Sequence, residues 1–238
     1  PEMHNRVGAA LLTRITSMTT ASKGLMLNTP ISFPIDYLLS KPVILEIEYL
    51  EDDAEKAFVI GLIMLFIYEF RKVQGTQEAP ELQHLTVIEE AHRLLKNVPR
   101  FVDPSIGNAE GEAVETIINI MAEMRAYRQG LAIVEQLPTK LAPEAVKLAN
   151  TKLVHRLTSD DDIAVMGNVM NMSERQHKAI RHLPVGQAVV HGLHDDHAHK
   201  IEITFESAED APVTRDSGDD LVERRIAQLR LANNDLVV

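Results

Sequence analysis

Two short apolar runs constrain this chain more than anything else in it. Leu85-Thr-Val-Ile88 stops at two adjacent carboxylates, Glu89 and Glu90, and Leu131-Ala-Ile-Val134 stops at Glu135 and Gln136. Short continuous apolar runs with sharp polar ends read as buried strands. Between them, Val114, Ile117, Ile118, Met121 and Met124 fall at helical spacing within 112–128, and Gly130 ends that helix. Strand, long helix, strand is the unit of a mainly parallel sheet flanked by helices, with a right-handed crossover.

The alternation extends along the chain. Residues 42–49, rich in Val, Ile and Leu, read as a strand. Asp52 and Asp53 are good caps for a helix over 54–73, whose middle is apolar nearly all round, the pattern of a buried helix. Residues 75–80 are a polar connection to the strand at 85–88. Residues 97–111, with two prolines and two glycines, have no periodicity; long loops of this kind are usually functional or mobile. Pro143 suits the first turn of a short helix ending near Asn150, and 152–157 reads as a strand. Ser159 with Asp162, and more clearly Ser173 with Gln176, resemble capping boxes that open two further helices. Residues 187–192 and 200–205 form a hairpin pattern, and an acidic turn at 216–220 precedes an amphipathic helix at 221–231. The expected organisation is a poorly defined segment at 1–40, an α/β core at 41–206, and a terminal turn and helix at 207–238.

Composition narrows the partners. The net charge of −11 argues against a free-standing, non-specific nucleic-acid binder, while leaving room for a ring that turns a few basic residues toward a pore. No cysteine is present, which excludes disulfides and thiolate metal sites. Aromatic residues make up only 4% and Trp is absent, so the core is aliphatic. The longest apolar block, 57–68, falls short of the roughly 20 residues that a membrane span needs. No secretory signal is visible, and a cytoplasmic location is the expectation.

The chemistry gathers at the strand ends. Open α/β sheets bind ligands just beyond the carboxyl ends of their strands. There, one carboxylate can hold Mg2+ directly or through water, and the next can orient or deprotonate an attacking water. Glu89 and Glu90 fit that pair, though acids also favour the start of an exposed helix. Gln136, after the second strand, can sense a γ-phosphate without adding charge, or be an ordinary polar residue at a loop start. Arg125 and Arg128 close the helix before that strand. They could stabilise developing negative charge, in cis or from a neighbouring subunit, or simply complement the helix dipole. Arg156 ends an apolar strand, where a charge requires either a structural partner or a site. Arg93, Lys96 and Arg100 lead into the long loop and could face DNA phosphates, or form a solvated basic helix end. His191, His194, His197 and His199, with Asp195 and Asp196, could supply metal ligands, but they fall at the expected hairpin turn, where polar residues belong in any case, and the turn is the favoured reading.

Several segments in order resemble one family. They are LTVIEEAHRLL at 85–95, AEMRAYRQG at 122–130, VEQLPTKL at 134–141 and NTKLVHRLTSDDD at 150–162, with PVILEIEYL and EKAFVIGL upstream and LPVGQA within 182–192. This run, covering most of 35–205, resembles the HerA-like ATPases of the FtsK-HerA superfamily. The resemblance implies a RecA-like core, an ATP- and Mg2+-dependent hexameric ring, duplex DNA driven through its pore, and a nuclease partner. By position it implies Glu89 as the metal-binding acid, Glu90 as the catalytic acid and Gln136 as the polar sensor. Arg125 matches a candidate finger acting across subunits, Arg128 adds a second nearby cation, and Arg156 matches the arginine of the His-Arg-Leu segment.

One departure is serious. The family's phosphate loop is a Gly-x-x-x-x-Gly-Lys-Ser/Thr run, and no Gly-Lys pair exists here. Without that loop's amides and lysine the triphosphate lacks its main binding site. The expectation is a carboxy-terminal piece of the motor domain, its sheet incomplete and itself unable to hydrolyse ATP. The alternatives are a non-hydrolysing assembly module and a secretion-type ATPase of the same superfamily.

Overall fold

The computed structural model describes residues 34–48, 52–75, 82–98 and 108–203, with residue 50 and scattered positions between 8 and 28. Arg100, the acidic turn at 216–220 and the helix expected at 221–231 lie outside the described residues. So do 99–107 of the long loop and 204–205 of the hairpin.

Helix α1 (Ile35–Leu39) precedes α2 (Asp53–Gln74). Asp52 starts α2 by accepting a hydrogen bond from the Ala54 amide at 3.1 Å, and Gly75, at φ 73°, stops it. Its buried stripe is Met64, Ile67, Tyr68 and Arg71, one helical face. Phe58, Leu65 and Phe66 are 41%, 40% and 44% exposed, so the all-round apolar character is covered on one side only among the described residues.

Strand β1 (His84–Glu89) leads through α3 (Ala109–Met124) to β2 (Gln129–Val134). The two strands are parallel, in register from His84–Gln129 to Glu89–Val134. Asn108 caps α3 by accepting from the Gly111 amide at 3.0 Å. Arg128, in the left-handed region at φ 57°, turns the chain from a 3-10 turn (Arg125–Tyr127) into β2. Strand alternation places Thr86, Ile88, Leu131 and Ile133 on the inner face and Leu85, Val87, Glu89 and Val134 on the outer one.

The second half contains α4 (Pro143–Leu148), β3 (Lys152–Val154), α5 (Asp160–Val169), α6 (Glu174–Ile180), β4 (Gln187–His191) and β5 (His199–Glu202). Here β3, β4 and β5 form an antiparallel sheet, β4 and β5 as the expected hairpin. Among the described residues the parallel arrangement is therefore confined to β1 and β2, and β2 does not pair with β3. Ile88 of the first sheet and Val154 and Val189 of the second share one buried cluster with Leu95, Met124, Ile163 and Ile180.

Three local expectations differ from the structure. Residues 42–47 are irregular, with Val43, Ile44 and Leu45 45%, 88% and 46% exposed. β-propensity without a paired neighbour does not make a strand. Strand β3 stops at Val154, and His155 Nδ1 lies 3.1 Å from the Gln187 carbonyl in place of further backbone pairing. Ser159 makes no capping bond, and the buried Asp162 carboxylate, which a capping box would turn back to the Ser159 amide, instead accepts from the Thr139 amide at 3.0 Å and joins α5 to the turn Pro138–Lys140. The box at Ser173 and Gln176 does form.

Candidate active site

Strand β1 delivers its last carboxylate, Glu89, to the exposed outer face. Glu90 follows in the left-handed conformation, φ 51° and ψ 46°. A non-glycine residue rarely sits there, and such positions cluster at functional sites. The bend carries the chain into a 3-10 turn (Ala91–Arg93), closed by the Arg93 amide donating to the Glu90 carbonyl at 3.0 Å.

Because β1 and β2 are parallel and in register, the residues beyond their ends meet. Glu135, just past β2, has a carboxylate only 5% exposed. Its Oε2 accepts from the His92 amide at 3.0 Å and lies 2.7 Å from His92 Nδ1. Its Oε1 accepts from the Gln136 amide at 2.9 Å and the Leu137 amide at 3.1 Å. Burial pushes the Glu135 carboxyl up. The bonds from the Leu137 amide, the His92 ring and amide, and the Gln136 amide outweigh that and hold it below the usual glutamate value.

Glu90 points into the same place while remaining 44% exposed. Its Oε2 is 3.7 Å from His92 Nδ1, and Gln136 Nε2 donates to its Oε1 at 3.5 Å. Among the described residues, Glu90, His92 and Glu135 are the group whose potential ligand atoms lie within 4.8 Å of one another. Carboxylate oxygens suit Mg2+, which favours hard donors over imidazole. The Glu135 oxygens are already engaged by four donors, so Glu90 and neighbouring Glu89 are the carboxylates available to a cation.

The structure thus brings Glu90 and Gln136 together, with Glu89 adjacent in the chain. It does not bring Arg125 or Arg128 to them. Both precede β2, at the opposite end of the sheet, and at about 3.3 Å per residue the strand places Arg128 roughly 20 Å from Glu135. Arg125 is exposed, while Arg128 has a buried Nη1 with no hydrogen-bond partner. Exposed Arg156 leads from β3 into α5, whose bond to Thr139 sets this segment beside the loop that follows Gln136. Of the basic residues near the long loop, Arg93 pairs with Asp53, and Lys96 Nζ lies 3.0 Å from Glu110 Oε1. The histidines at 191–199 do not converge as ligands; Asp195 instead accepts from the Gly192 amide at 2.7 Å and shapes the hairpin turn.

Sequence reasoning singled out neither Glu135 nor His92 for a role. The signal was a third carboxylate at the second strand end, but its meaning depends on the parallel register.

Solved structures share this fold. The genome packaging NTPase B204 of Sulfolobus turreted icosahedral virus 2, in complex with AMPPCP, matches with a TM-score of 0.51 and 14% identity, over 74% of this chain and 73% of its own. The same NTPase in complex with sulfate gives a TM-score of 0.50 at 14% identity, over 74% of each chain. VirB4 of Thermoanaerobacter pseudethanolicus matches 68% of this chain and 40% of its own, at 19% identity and a TM-score of 0.49. No family model matches the sequence, and no curated protein matches it significantly. The short parallel sheet flanked by helices, together with the packaging NTPase likeness, defines the fold as RecA-like α/β.

Proposed function

We propose that this chain carries the hydrolytic edge of a HerA-type ATP-driven DNA motor. The observation that supports this most is the meeting of Glu90 and Gln136 beyond the carboxyl ends of two parallel strands. In this account Glu90 orients the attacking water and takes its proton, and the Gln136 amide hydrogen-bonds the γ-phosphate. Glu89 would hold Mg2+ beside Glu90, and the ion would neutralise charge on the phosphates when bound.

Arg125 acts on a neighbouring subunit's nucleotide, since its own Glu90 lies at the far end of the sheet; Arg128 supports it from the same end. Arg156 leads into α5, which bonds the loop after Gln136, and would serve within the chain. ATP therefore sits at subunit interfaces of a hexameric, cytoplasmic ring. Arg93, Lys96 and Arg100 face DNA in its pore, beside a nuclease partner. The surface ion pairs Arg93–Asp53 and Lys96–Glu110 are worth only about 0–1 kcal/mol each and exchange readily for phosphate.

The phosphate loop comes from a segment outside these 238 residues. Parallel sheets are normally covered on both faces. On β1 and β2, Leu85, Val87 and Val134 stand 50%, 54% and 48% exposed, which supports a further layer at that face. In a protein carrying that loop, Glu90→Gln should abolish turnover and retain ATP binding; wild-type rates in the variant would sink the assignment. The same uncovered face also favours a second account, an assembly module that hydrolyses nothing. Turnover by the loop-bearing protein decides between them.

A further inference from the structure

We propose that Glu135 is a positioning residue that braces the Glu90 turn against the Gln136 turn, so that the two reactive side chains keep one geometry. Its catalytic consequence rests on the hydrolytic function proposed above.

The bonding pattern of one carboxylate carries the inference. Oε1 collects the amides of Gln136 and Leu137, which fixes the turn after β2. Oε2 collects the amide and ring nitrogen of His92, which fixes the turn after β1. Each turn bears one of the two groups that meet at 3.5 Å, Gln136 Nε2 and Glu90 Oε1. An ionised carboxylate offers about four acceptor sites, and here four donors occupy them. With 5% exposure against 44% for Glu90, Glu135 has neither the access nor the free lone pairs to serve water or nucleotide. It acts through its neighbours.

Core stability alone does not call for this arrangement. A buried carboxylate is costly to desolvate, and apolar residues of similar volume often do as well or better. What an apolar residue could not supply is a simultaneous grip on four donors from two loops. The weight of such a grip is geometric, since a misplacement of about 1 Å at a reacting group can cost on the order of 100-fold in rate.

The test has two arms. In the 238-residue chain, hydrogen exchange is measured amide by amide for Glu135→Ala and Glu135→Gln. Faster exchange at His92, Gln136 and Leu137 together, with β1 and β2 amides unchanged, is expected for Ala. Gln, which keeps volume and one carbonyl acceptor, should fall between. Exchange that rises over the whole sheet, or at one turn only, would overturn the brace. In the loop-bearing protein, Glu135→Ala should lower kcat by ~10–100-fold with KM for ATP within about twofold, and Gln should recover part of the loss. Unchanged kcat, or kcat and KM altered together with Tm, would contradict a positioning role. If wild type binds ATP without turning it over, the proposed function fails and takes the catalytic consequence with it. The exchange arm still decides whether the brace exists.

Discussion

His92 and Glu135 meet across the ends of two parallel strands, with His92 Nδ1 2.7 Å from Glu135 Oε2. They are 43 positions apart in sequence and belong to different loops. Their contact follows from the register, which runs from His84–Gln129 to Glu89–Val134 and so brings the residues just beyond each strand side by side. Glu90, displaced outward by its left-handed backbone, stays open to solvent beside them.

The opposite end of the sheet holds a buried cation whose side-chain hydrogen bonds, among the described residues, go to glutamines. Arg71, 6% exposed, donates to Gln129 Oε1 at 3.2 Å and to Gln74 Oε1 and Gln83 Oε1, each at 2.9 Å. Burial lowers its pKa. Arg71→Ala should destabilise the chain by about 1–3 kcal/mol, because it leaves the buried Gln129 Oε1 without that donor. Arg71→Lys should recover only part of that, since an ammonium cannot reproduce the planar fork. Urea unfolding at neutral pH reads both.

His84 in the same cluster makes stability depend on pH. Burial lowers its pKa first, the nearby Arg71 cation adds to this, and the bond with Gln129 partly offsets them. The folded pKa lies below the ordinary 6.5, so the stability from a neutral His84 is fully present above about 6.5. It declines as pH falls through the lowered folded value. Urea midpoints should therefore drop below pH 6.5 in wild type and drop less in His84→Gln. Equal slopes for the two proteins would contradict the assignment.

Much of this was legible where the signal is local. The helix expected over 54–73 is found at Asp53–Gln74, because a capping aspartate and a terminal glycine bound a long apolar stretch. The paired runs ending in acids became β1 and β2, and the Ser173 box formed as its spacing requires. What escaped depends on tertiary partners. Asp162 left its own helix end for the Thr139 amide, and Glu135 gained its role only from strand register. Residues 42–47 show the converse: strong strand composition, with no sheet neighbour among the described residues. The distance of Arg125 from Glu90 was likewise invisible, because sequence order does not say which end of a strand an arginine serves.

Val87 tests the uncovered sheet face. It is 54% exposed on the outer side of β1. In this chain alone Val87→Glu should change stability by less than about 0.5 kcal/mol, as exposed substitutions usually do. In the loop-bearing protein the same change buries a charge against the added layer, and should cost several kcal/mol or prevent folding. Matched thermal melts of the two proteins check this; a large loss in the isolated chain would show that the face is already covered.

The most direct measurement is Mg2+-dependent ATP hydrolysis by the 238-residue chain beside a protein that also carries the phosphate loop. The account predicts no measurable turnover by the chain alone and clear turnover once the loop is present. Robust hydrolysis by these 238 residues would contradict it, and so would a loop-bearing protein that binds ATP and never cleaves it.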